Sequence, residues 1–72
     1  MTNTAAQKVN EFISTITIAN DIHDMNKEGH SAAAILEYVT GTGMEFPDAS
    51  HLVARVLKLD HDEQMDMEEA YN

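Results

Sequence analysis

The chain has no cysteine, a single proline, three glycines and only four lysine or arginine residues among its 72. Without cysteine there is no disulfide, no thiolate metal site and no cysteine redox chemistry. That composition suits a cytoplasmic protein. With so few cations, scattered at Lys8, Lys27, Arg55 and Lys58, binding to nucleic acid by counterion release has little to work with. Anionic membranes are disfavoured for the same reason. No long hydrophobic run is present either. The uncharged stretch from Phe12 to Asn20 is interrupted by Ser14, Thr15 and Thr17, and is too short to cross a bilayer. The first eight residues, Met1 to Lys8, lack the basic-then-apolar order of a secretory signal. The reading is of a soluble cytoplasmic chain.

What is abundant is negative charge. Thirteen aspartates and glutamates against four cations give a formal charge of −9 with histidines neutral. Six of the thirteen fall at Asp60, Asp62, Glu63, Asp66, Glu68 and Glu69, in a segment with no Lys or Arg. A field of this kind favours basic protein surfaces as partners and repels nucleic acid.

A chain of this length makes one domain near the lower limit for an independent core. Such a core leaves only about 3–5 kcal/mol of net stability. Self-association is the one remaining support for so small a fold, and a homodimer is therefore an expected alternative state.

Helical periodicity organises the first sixty residues. Val9, Phe12, Ile13 and Ile16 recur at helical spacing within a first helix from about Thr4 to Glu28, with Thr4 as N-cap and Gly29 just beyond its end. Ile18, Ile22 and Met25 form a second apolar set on another face. The run Ile13 to Ile18 also suits a strand, but no second strong strand exists to pair with it. The second helix covers Ala32 to Thr40, capped by Ser31 and ended by Gly41-Thr42-Gly43. The third starts at Pro47, which lacks the N–H that a first turn leaves unused, and runs to Leu59. Ala49, Leu52, Val53, Val56 and Leu57 form its apolar stripe, and Phe46 is placed to pack back on it as a hydrophobic staple.

Beyond Asp60 the sequence reads either as a fourth helix, frayed or induced by a partner, or as a continuation of the third. The expected architecture is all-α: a three-helix domain over residues 1–60 and an acidic C-terminal segment over 61–72. Its expected core is Val9, Phe12, Ile13, Ile16, Ile22, Ile35, Leu36, Val39, Leu52, Val53, Val56 and Leu57.

No motif names a reaction, cofactor or metal. Asp60-x-Asp62-x-Gln64-x-Asp66 begins like a calcium loop, but the sixth and twelfth positions hold Met65 and Tyr71 where glycine and glutamate are needed. His23, His30, His51 and His61 include no pair at the three- or four-residue spacing that places two imidazoles on adjacent turns, and read as surface groups. Ser31 and Ser50 are expected to satisfy backbone groups near helix starts. Ser50 next to His51 is no dyad, because adjacent helical residues diverge. Gly41-Thr42-Gly43 lacks the Lys-Ser/Thr of a phosphate loop. The chain reads as a non-enzyme without cofactor or metal.

The expected function is that of a small acidic binding protein that occupies a basic surface of a partner protein. Its expected contact residues are Asp60, Asp62, Glu63, Met65, Asp66, Met67, Glu68, Glu69 and Tyr71, the carboxylates steering association and the apolar side chains carrying affinity. Where the partner itself binds nucleic acid, this becomes mimicry of a phosphate backbone. In size, charge and lack of cysteine the chain resembles the small acidic inhibitors encoded by bacteriophages, and no motif contributes to that resemblance. Two alternatives stand beside it. One is a helix–turn–helix-like DNA-binding regulator that uses residues 47–59 with His51, Arg55 and Lys58 outward; against it stand a connection of about six residues, longer than the usual three or four, and the surrounding acids. The other is a structural subunit.

Overall fold

The computed structural model describes the backbone of residues 4–72 and the side chains of residues 15–72. Four helices form: α1 (Thr4–Lys27), α2 (Ala32–Gly41), α3 (Phe46–Leu57) and α4 (His61–Tyr71). No strand occurs among the described residues. The all-α class holds, and the C-terminal segment, expected as an extension of a three-helix domain, forms a fourth helix separate from the third. The side chains of Val9, Phe12 and Ile13, expected in the core, and of Thr4, the expected cap, lie outside those described.

Each helix boundary has a local cause. At the end of α1 the His30 N–H donates to the Met25 carbonyl and the Gly29 N–H to the Asn26 carbonyl, both at 3.1 Å. Gly29 adopts φ +93°, and the pattern is that of a Schellman motif. Ser31 then caps α2, its Oγ accepting from the Ala34 N–H at 3.2 Å. α3 begins one residue earlier than expected, at Phe46, with Pro47 in its first turn and Glu45 as an N-cap that makes no side-chain bond. It also stops earlier than expected, because Lys58 turns into the left-handed region at φ 59°. The Leu59 N–H then reaches back to the Ala54 carbonyl at 2.9 Å.

The start of α4 shows why the C-terminal segment forms its own helix. The Asp60 carboxylate accepts from the Glu63 N–H at 2.8 Å, while Glu63 Oε1 accepts from the Asp60 N–H at 3.0 Å. This reciprocal capping box satisfies two donors that a helix start leaves orphaned. The negative charge of Asp62 and Glu63 in the first turn is favourable at the positive end of the helix dipole.

Ile22, Ile35, Leu36, Val39, Ala49, Val53 and Met67 form the buried centre. Leu52, Val56 and Leu57, expected in the core, are half-buried against it. Ile16 departs from expectation: it is 46% exposed. α1 has 24 residues and the other helices 10 to 12, so the short helices cover only part of its length. Periodicity places Ile16 on an apolar face; it does not supply a neighbour. Phe46 packs its ring on Tyr71, with centroids 5.3 Å apart, so it ties α3 to the end of α4.

Candidate functional site

α4 divides by helical geometry into three sides, and each has a different task. The inward side carries Met67, only 3% exposed within the hydrophobic centre. A second side bonds to the neighbouring helices. Ser50, buried in α3 at 1% exposure, donates its hydroxyl to Glu68 and accepts from Gln64 Nε2 at 2.9 Å. The Tyr71 hydroxyl lies 3.2 Å from Thr40 Oγ1 at the end of α2. Ser50 therefore links two helices, where the sequence suggested a backbone-satisfying role near a helix start. Ser31 has that role as expected.

The third side faces solvent. Asp62, Met65, Asp66 and Glu69 are all exposed, and their i, i+3, i+4, i+7 spacing places them on one stripe. Met65 is 52% exposed, an apolar side chain set among three carboxylates. Of the nine residues singled out from the sequence, these four face outward together. Asp60 and Glu63 form the cap, Glu68 is held by Ser50, and Met67 and Tyr71 are turned into the fold. The period-two spacing of Met65 and Met67 already places them on different faces.

A second acidic concavity was not anticipated. Asp21, Asp24 and Glu28 on α1 line it with Met25 and Tyr38. The Tyr38 hydroxyl donates to Asp21 Oδ2 at 2.6 Å. That bond, with lesser contributions from burial and the carboxylate's charge, holds the Tyr38 pKa above its ordinary value. The spacing of Asp21, Asp24 and Glu28 was a sequence signal for one acidic face; their meeting with Tyr38 depends on how α2 packs.

Among the described residues the one ion pair within 4.0 Å joins His30 Nε2 to Glu28 at 3.6 Å, and both side chains are exposed. The carboxylates of the α4 stripe make no such pair. His23, His30, His51 and His61 are all exposed. No group of three or more metal-ligating side chains is gathered among the described residues, and no described helix is long and apolar enough to cross a membrane.

The alternative DNA-reading helix gains one feature and keeps one difficulty. The connection from α2 to α3 is four residues, 42–45, shorter than expected and within the range of a helix–turn–helix. His51, Arg55 and Lys58 are exposed, and so are Glu45, Asp48 and Asp60 around them. No protein-family model, no curated protein and no solved structure matches the chain.

Proposed function

We propose that the protein is a non-enzymatic acidic binding module of the cytoplasm, whose α4 presents its outer face to a basic surface on a partner protein. The observation that carries this reading is the stripe Asp62, Met65, Asp66 and Glu69, solvent-facing and without an ion pair among the described residues, on a helix fixed at its start by a capping box. A capped, packed helix holds its charges in a set arrangement before contact, so less ordering is lost on binding. The carboxylates steer a basic partner and reject anionic ones. Met65 supplies flexible, polarizable apolar contact. Where the partner's basic surface serves nucleic acid, the stripe takes the place of phosphates and the outcome is inhibition.

Affinity capture at two salt concentrations, with mass spectrometry, tests the proposal. The wild type should recover a basic protein that is lost at the higher salt and is not recovered by D62N/D66N/E69Q. Equal recovery by both forms would end it.

The four-residue connection between α2 and α3 favours a second reading, DNA binding by α3. In that case R55A/K58A should abolish a salt-dependent electrophoretic shift of duplex DNA. The acidic module should shift no duplex at all.

A further inference from the structure

A groove of about 370 Å³, open to solvent, lies between the start of α2 and the flank of α4. That volume falls at the low end of the ~300–1,000 Å³ typical of ligand sites. Its lining is largely apolar: Ala32 and Ala33 from α2, Leu59 from the α3–α4 turn, and Met67 and Ala70 from α4. Three of these five are alanines, whose short side chains leave the depth that longer ones would fill. Two carboxylates stand in the rim, Glu63 and Asp66. Glu63 is held in place by its bond to the Asp60 N–H. Asp66 belongs to both the rim and the outward stripe, so the groove and the acidic face of α4 adjoin.

Charge selects the occupant. A second copy of this chain would bring another −9 to an acidic rim and be repelled, as would an anionic lipid surface or a nucleic acid. A helix with an apolar ridge flanked by Lys or Arg complements both components, and laying such a ridge into a groove is a general mode of helix recognition.

We infer that the groove receives the apolar ridge of a basic amphipathic helix on the partner, with its cations against Glu63 and Asp66. This rests on the proposed docking of α4 with a basic surface, and adds to it an apolar component and a partner secondary structure.

The test titrates the full chain with two synthetic peptides of equal length and charge, followed by NMR. One is a Leu/Lys amphipathic helix former and the other replaces each leucine with serine. The Leu/Lys peptide should bind at least roughly tenfold more tightly, as expected for burying one leucine side chain. Its largest methyl shifts should fall at Ala32, Ala33, Leu59 and Ala70. A70Q and A33Q, which add volume at the lining, should each remove the advantage of the Leu/Lys peptide and leave the Ser/Lys peptide unchanged.

Equal affinity for the two peptides, or main shifts elsewhere, would overturn the inference. Asp62 and Glu69 lie outside the groove lining, so D62N/E69Q separates the two proposals. Equal binding of both peptides, weakened by D62N/E69Q, rejects the groove and keeps the acidic face. Groove shifts with both affinity and selectivity unchanged in D62N/E69Q keep the groove and reject the face.

Discussion

Asp60 and Glu63 each accept the other's backbone N–H, at 2.8 and 3.0 Å, and through this exchange the most acidic part of the chain becomes a helix. Removing the Asp60 side chain should cost about 1 kcal/mol. For a domain of this size that lowers the melting temperature by about 4–8 °C. D60A should show the loss in thermal denaturation, with helical circular dichroism reduced. D60N should retain most of the stability, because asparagine caps as well as aspartate. A matching loss in D60N would mean that charge, not the cap, holds α4.

Met65 and Met67 should behave oppositely. Met67 is 3% exposed and Met65 52%. M67A should lose about 2–5 kcal/mol in urea denaturation, comparable to the entire stability expected of so small a core, about 3–5 kcal/mol. M65A should stay within about 0.5 kcal/mol of wild type while weakening capture of the partner. A folded, fully stable M67A would place α4 outside the cooperative unit.

Lys58 offers a route to greater stability. Its φ of 59° costs a side-chain-bearing residue about 1–2 kcal/mol, partly offset when glycine replaces it by the larger freedom of the unfolded chain, about 0.5–1 kcal/mol. K58G should therefore raise the urea midpoint by a net gain of about 0.5 kcal/mol at unchanged slope, and K58V should lower it. The reverse order would mean that the end of α3 does not adopt this turn.

Tyr38 gives a pH dependence of definite sign. Its folded pKa is raised above the ordinary 10.0, first by the hydrogen bond to Asp21. The associated stability is fully present below pH 10.0, the unfolded value, and is lost as pH rises through the higher folded one. D21A should lower the Tyr38 titration midpoint, followed by the NMR shift of its ring carbon, and should remove this part of the alkaline loss of stability. An unchanged midpoint in D21A would show that Asp21 is not the cause.

The three N-terminal helices were legible because their punctuation is conventional. Ser31 caps, Gly29 takes the left-handed turn, and Pro47 sits in a first turn. The fourth was readable too, in the pattern Asp60-x-x-Glu63, but the density of carboxylates reads first as charge and conceals the cap among them. The end of α3 was not readable, since lysine carries no preference for the conformation Lys58 adopts. Ile16 shows the limit of periodicity, which assigns a residue to a face without saying whether another helix reaches it. The same limit governs the site. Helical spacing unites Asp62, Met65, Asp66 and Glu69, whereas only the packing of α4 reveals that Glu68 and Met67 are spent inside the fold. The groove beside Ala33 and Ala70 joins residues far apart in sequence and had no local signal.

The most direct measurement sets position against total charge. Two triple-amide variants, D62N/D66N/E69Q on α4 and D24N/E37Q/E45Q elsewhere, each remove three negative charges from exposed sites. Calorimetric titration of each with the captured partner, at one fixed salt concentration, should show the α4 variant weakened by about tenfold or more, or about 1.4 kcal/mol, and the second variant much less. Equal weakening of the two, or none in the α4 variant, would contradict a docking role for the outer face of α4.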